Sequence, residues 1–340
     1  MWPRPVAEKA LVVGSTGFLG GALVAALLER GSPVRAGVRN AADAARLAGL
    51  GAEPALLDVM DPPSLREAAR GCSVVYHAGG MNTMCPREPG RLYDVNVQGA
   101  QNLIEAAAAA GVRRVVYTSS AATIGEARGT VATEDSPHRG WFLSHYERSK
   151  FLGEERVLEK GQEHDIEVVC VNPSSVQGPG RTRGTARWLI SYANGKLRWM
   201  VDTRISLVAI DDCTRAHLLA ATRGRAGRRY LVNGASLEIR ELMALVAEVS
   251  GRQRAVHLVP PWVALGAGSL VGWAFEARRR RPPVCGEMVR TLLHGHTYDG
   301  TRAAQELGFD YTPMPEFVRT TLRWYADQGL VQEMVPTRSA

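Results

Sequence analysis

Ala10-Leu-Val-Val-Gly14-Ser15-Thr16-Gly17-Phe18-Leu19-Gly20 is the stretch that decides the fold. Four apolar residues read as a buried strand. Three glycines at three-residue spacing follow at once, and Gly20 to Glu29 has the alanine- and leucine-rich texture of a helix. Glycine permits a tight turn and lets backbone come close to phosphate. A helix N-terminus offers free N–H groups and the positive end of a dipole. Strand, glycine loop and helix in that order predict a cradle for a dinucleotide pyrophosphate formed by Gly14, Ser15, Thr16, Gly17, Phe18, Leu19 and Gly20.

The pattern continues outward from this unit. Pro33–Val38, Pro54–Leu57, Ser73–His77, Arg114–Ser119 and Val168–Asn172 read as further strands. Helical stretches fall between them near residues 41–47, 63–69 and 93–110. Such alternation predicts an α/β fold with a Rossmann-type, doubly wound parallel sheet, its strands apolar throughout because both faces are covered. After Pro173 the alternation loosens. The expected division is a dinucleotide-binding domain over 1–173, a smaller substrate-binding lobe mainly over 174–330, and a tail over 331–340. Leu207–Ile210 is a candidate to return to the main sheet.

Composition narrows the class. The chain has 340 residues, 45% of them hydrophobic, and a net charge of +7. No zinc-finger or RNA-binding signature accompanies that charge, so nucleic acid is not an expected partner. Five scattered cysteines, none in a C-x-x-C pair, argue against a disulfide framework or a zinc site and for a reducing compartment. No metal ligand set is expected. Met1-Trp2-Pro3-Arg4-Pro5 lacks the apolar run of a signal peptide, and the reading is cytoplasmic. Leu258–Ala277 is apolar but broken by prolines and glycines, and an arginine run, 278–281, follows it. It reads as a helix packed on the smaller lobe, with a membrane-surface helix as the minority alternative.

Cofactor choice rests on the second strand. NAD sites carry an acid about 20 residues beyond the glycine loop. Here the strand ends Gly37-Val38-Arg39-Asn40, and Arg39 offers donors suited to a 2′-phosphate. Arg35 points the same way more weakly. The expected cofactor is NADP, with NAD as the alternative. Asp58 and Val59 follow the third strand, on the adenine side. Ala78, Gly79 and Gly80 follow the fourth and leave room for ribose.

Tyr146 and Lys150 lie one helical turn apart in Tyr146-Glu147-Arg148-Ser149-Lys150. An ammonium near a phenol favours phenolate and brings tyrosine into use as a general acid or base. Arg114–Ser120 reads as a buried strand ending in hydroxyls, and ligands sit at the carboxyl ends of parallel strands. Ser120 is the expected catalytic serine and Ser119 its support. Lys150 and Tyr146 are also expected against the nicotinamide ribose, with Asn172, Pro173 and Ser174 along the nicotinamide face. Asn96 reads as a brace for the serine strand.

With these residues assembled, the chain resembles an extended short-chain dehydrogenase/reductase of the NAD-dependent epimerase/dehydratase superfamily. The likeness is carried by G-S-T-G-F-L-G at 14–20, Y-T-S-S-A-A-T at 117–123, Y-E-R-S-K at 146–150 and N-P-S-S-V-Q-G-P at 172–179. Within that family it is most similar to the dihydroflavonol-4-reductase-like and hopanoid-associated epimerase-like branch. The resemblance implies a serine–tyrosine–lysine triad at Ser120, Tyr146 and Lys150, and hydride transfer at a carbonyl or alcohol carbon. Several residues depart from the sugar-processing members. No acid follows the second strand, Ile205 stands where epimerases carry an arginine, Ser120-Ala121-Ala122 replaces a threonine–acid–acid set, and Ala209 stands where relatives often have histidine. The leading expectation is an NADP-dependent oxidoreductase acting on a ketone, aldehyde or secondary alcohol. A nucleotide-sugar epimerase with retained NAD and a non-catalytic NADP-sensing regulator are the alternatives. Met81, Trp141, Phe142, Trp188 and Trp199 are candidates to line an apolar substrate pocket, and Arg181 and Arg183 to meet an anionic group. The resemblance also makes a homodimer an expectation.

Overall fold

The computed structural model describes residues 8–252, 255–280 and 282–332. The readings of Met1–Pro5, of Arg281 and of most of the 331–340 tail lie outside the described residues.

Five strands open the fold: β1 (Ala10–Val13), β2 (Val34–Val38), β3 (Glu53–Leu56), β4 (Val74–His77) and β5 (Arg114–Thr118). They join Glu167–Pro173 and Arg229–Val232 in one seven-stranded sheet, ordered Arg229–Val232, Glu167–Pro173, β5, β4, β1, β2, β3. Every pairing in it is parallel. From β1 the chain winds one way to β2 and β3, then returns to β4 and winds the other way. This reversal opens a crevice at the carboxyl ends of β1 and β4, where doubly wound sheets bind ligands. One sheet face packs on α1 (Phe18–Glu29) and on Ile210–Arg223 around Leu23, Val12, Val116 and Leu219. The other buries Leu11, Val75, Val115 and Leu103 under the helices Pro62–Ala69, Gly99–Ala109 and His145–Glu163.

Three features differ from the sequence reading. Leu207–Ile210 does not return to the main sheet. Arg204–Ala209 pairs instead with Ser175–Gln177 and Ala235–Glu238 in a separate three-stranded sheet. Arg229–Val232 is the segment that returns, because its apolar side chains complete the edge beside Glu167–Pro173. The helix expected over 93–110 is interrupted: Pro89–Tyr93 is α-helical, Asp94–Gln98 is a π-turn and Gly99–Ala109 resumes the α-helix. A π-turn re-aims the side chains it carries, and this one carries Asn96. Finally, Cys85 and Cys285 form a disulfide across 200 residues of sequence, while Cys72, Cys170 and Cys213 are free and buried. Cysteine spacing gives no sign of a pair that only tertiary folding brings together. The inference from cysteine usage to a reducing compartment therefore loses its basis.

The Pro261–Ala277 helix lies against Gly286–His294, with Gly268 close to Val289. Its other side is bare: Trp262 is 76% exposed, Leu270 65% and Trp273 68%. The expected packed helix is thus packed on one side only. No helix among the described residues is long and apolar enough to cross a membrane.

Candidate active site

The glycine loop is shaped by contacts that exclude side chains. Gly14 has φ +83°, and a Cβ there would come within 2.6 Å of the Gly79 nitrogen. A Cβ on Gly20 would overlap the Gly14 carbonyl oxygen. Ser15 Oγ donates to the Gly37 carbonyl (2.7 Å), which ties the loop to β2. No side chain caps the N-terminus of α1 and no acid lies in its first turn. Its first N–H groups and dipole are therefore directed at the crevice, which fits a dinucleotide pyrophosphate.

Arg39 is exposed just beyond β2, at the carboxyl end of the strand. Arg35 is engaged elsewhere. Its guanidinium pairs with Glu53 (2.7 Å) and donates to the carbonyls of Ala68 (2.9 Å) and Arg70 (2.7 Å). It locks β2 to β3 at the opposite end of the strand and points nowhere near the crevice, so the secondary reading of Arg35 fails. Asp58 is exposed and accepts from the Met60 backbone (2.9 Å). Val59 is half-buried beside Gly99. Ala78–Gly80 leaves β4 with the Ala78 nitrogen donating to the Val13 carbonyl (3.0 Å). Asn96 braces this loop and not the serine strand. It accepts from the Met81 nitrogen (2.7 Å), donates to the Met81 carbonyl (3.0 Å) and donates to Ser149 Oγ (2.9 Å) on the His145–Glu163 helix.

Ser120 follows β5 and caps the short 3-10 turn Ala121–Ile124. Its hydroxyl lies close enough to the Tyr146 phenol to pull that phenol's pKa down. Ser119 Oγ is buried without a hydrogen-bond partner. Burial pushes the Tyr146 phenol above its ordinary pKa, and the Ser120 hydroxyl and the Arg181 charge oppose this only in part. Arg181 is the cation that pulls the phenol's pKa down. Lys150 lies on the same helix, but its Nζ donates to the Thr118 carbonyl (2.8 Å) and Tyr117 Oη (3.2 Å). The ammonium is thus anchored to the end of β5 and to the Tyr117 phenol. Burial lowers the pKa of Lys150 to about 8, against an opposing pull from Glu154.

Asn172, Pro173 and Ser174 run along the same edge. The Asn172 amide is turned away from the crevice, donating to Thr123 Oγ1 (2.9 Å) and to Glu154, which also pairs with Arg229. This buried network fixes the turn carrying Ser120, and neither Glu154 nor Arg229 gave a local sequence signal. Arg181 was legible only as a loop arginine. It stacks over Phe18 of the glycine loop (5.3 Å), which joins the Gly178–Gly180 turn to the cradle. Arg183 is exposed. Of the aromatic candidates, Trp188 packs into the C-terminal core, Trp141 and Trp199 are exposed, and Phe142 packs at a tilt against the rings of His138 and Phe151. Met81 alone borders the crevice, through its bonds to Asn96. A cavity of about 730 Å³ lies apart from this constellation, between Met243, Ala247, Met200 and Leu258 of the C-terminal lobe.

The family model described as NAD dependent epimerase/dehydratase family matches residues 10–233. The chain belongs to this family. It is 32% identical over 332 residues to sterol demethylase protein B of Methylococcus capsulatus, covering 94% of this chain and 99% of that one. It is 29% identical to a ketoreductase of Stigmatella aurantiaca named for a farnesyl-dihydroquinoline oxide, covering 88% and 91%. Among solved structures it superposes on gox2253 with a TM-score of 0.83 at 28% identity, covering 96% and 100%. It is also similar to MoeE5 in complex with UDP-glucuronic acid and NAD, with a TM-score of 0.74 at 25% identity, covering 94% and 100%. The chain is therefore an extended short-chain dehydrogenase/reductase with a nicotinamide-dinucleotide fold.

Proposed function

We propose that this family member is an NADP-dependent oxidoreductase that interconverts a ketone or aldehyde and its alcohol on an apolar substrate. The observation that carries the reading is the pairing of the Ser120 hydroxyl, just past β5, with the buried Tyr146 phenol whose pKa it lowers. When bound, the nicotinamide dinucleotide supplies or takes the hydride. Tyr146, kept protonated by burial, delivers a proton to the substrate oxygen as the adjoining carbon is reduced, or receives it in the reverse direction. Ser120 holds that oxygen and steadies the charge that develops on it. Lys150, seated on the Thr118 carbonyl, keeps a cation at the floor of the cleft. Arg39 holds the 2′-phosphate, and the backbone of 14–20 the pyrophosphate.

Support for an apolar substrate comes from two relatives whose names specify a sterol and a farnesyl-bearing ketone. The test is a screen of ketones of increasing apolar bulk with NADPH, counting alcohol formed against NADPH consumed. One alcohol per NADPH, lost in Tyr146→Phe, is the expected result. NAD carried through purification, with no net consumption on any carbonyl, overturns it in favour of epimerisation.

A further inference from the structure

Outside the Ser120–Tyr146 cleft, one buried cluster of ligating groups has no part in the chemistry above. Glu126 follows the turn that Ser120 caps and is 1% exposed. Its Oε1 lies 2.6 Å from His296 Nδ1 and 3.4 Å from His294 Nε2. One ligating atom from each of the three residues can be chosen so that all lie within 4.8 Å of one another. His294 ends the Gly286–His294 helix, and His296 leads into the strand Thr297–Tyr298. Between them Gly295 adopts φ +70°, which lets the chain reverse and brings the two rings to 4.7 Å. The Ser206 hydroxyl, donating to the His296 carbonyl (2.8 Å), fixes that backbone.

Two atoms of the cluster are buried without a hydrogen-bond partner: Glu126 Oε2 and His294 Nε2. A buried carboxylate needs a compensating positive charge, and a lone pair left without a proton or a metal costs free energy. Zinc bound by imidazole nitrogen and carboxylate oxygen sits at about 2.0–2.2 Å from each, so tetrahedral ligands stand roughly 3.4 Å apart. The Glu126–His294 spacing already meets this, and the Glu126–His296 bond must open by less than about 1 Å. Tyr298 Oη lies 3.0 Å from His296 Nδ1.

We propose that Glu126, His294 and His296 form a site for a divalent transition-metal ion of the zinc class, with three protein ligands and a fourth position beside Tyr298. Two imidazoles and one carboxylate are a ligand set zinc accepts, and three such ligands leave a position for water or another oxygen donor. The site staples the segment after Ser120 to the C-terminal elements, so metal occupancy bears on the stability of the cleft wall.

The experiment uses the full chain stripped with a chelator and then titrated with ZnCl₂ by calorimetry against a competing chelator, with CoCl₂ as an optical probe. The expected result is one equivalent bound, a four-coordinate cobalt ligand-field spectrum, and an affinity lower by about 100-fold or more in His296→Ala and in Glu126→Gln. His257→Ala, at an exposed histidine elsewhere, leaves binding unchanged. No binding, or binding that survives both His294→Ala and His296→Ala, overturns the site. If Glu126→Gln does not fold, the two histidine variants decide the matter.

Discussion

The nucleotide-binding half and the C-terminal elements place their polar groups by different means. In the first, the candidate site residues sit at strand ends. Gly14–Gly20 follows β1, Arg39 follows β2, Gly79 follows β4 and Ser120 follows β5. Each lies a residue or two past an apolar strand, so local pattern and parallel topology together position it. In the second, groups arrive by contacts that bridge long stretches of chain. Arg181 reaches Phe18, Glu126 meets His294 and His296, and Cys85 bonds Cys285. Strand-end residues are therefore expected to carry catalysis and cofactor binding, and the long-range contacts to shape and hold the cleft.

That contrast breaks most sharply at Tyr146. Tyr146→Phe removes only a hydroxyl and is expected to lower kcat by about 10²–10⁴-fold while NADPH affinity changes little. Unchanged turnover would move the chemistry out of the strand-end set. Gly20→Ala is next. Its methyl must displace the Gly14 carbonyl, and overpacking of this kind costs about 1–3 kcal/mol, here expected as weaker dinucleotide binding and a lower Tm. Full NADPH affinity in a stably folded Gly20→Ala protein would show that the loop tolerates what its geometry forbids.

Lys150 sharpens the comparison through pH. With a pKa of about 8, its ammonium is charged below that value and neutral above it. If its cation serves the cleft, kcat/KM for ketone reduction falls as pH rises through about 8, approaching tenfold per unit. Lys150→Arg is expected to move that limb to higher pH. A profile flat between pH 7 and 9 contradicts the role. The smallest effect concerns the exposed helix of the C-terminal region. Trp262, Leu270 and Trp273 are bare, and Arg278, Arg279 and Arg280 are exposed beyond them, a pattern suited to an anionic bilayer surface. Weak co-sedimentation with anionic vesicles, reduced in Trp262→Ser/Trp273→Ser and at high salt, is the expected outcome. Equal sedimentation of the variant would assign the exposed face no such use.

The parallel sheet, the glycine cradle and the order of strand-end residues were legible because period and turn chemistry are local. Ser120 and Tyr146, read separately from the end of a strand and the start of a helix, interact with each other. What sequence did not yield depends on which partner wins a side chain. Lys150 gives its ammonium to the Thr118 carbonyl and to Tyr117 Oη. Arg35, on the same strand that leads to Arg39, is held by Glu53 and two carbonyls. Asn172 turns its amide toward Thr123 and Glu154. The π-turn at Asp94–Gln98 is invisible in a helical pattern, since one extra residue in the turn leaves the composition unaltered.

The most direct measurement is a side-by-side fluorescence titration of NADPH and NADH into nucleotide-free protein, repeated with Arg39→Ala. The account predicts NADPH tighter by about tenfold or more, the gain expected from charge-assisted bonds to a 2′-phosphate, and loss of that preference in the variant. Equal affinities, or NAD already held in the purified protein, would contradict it.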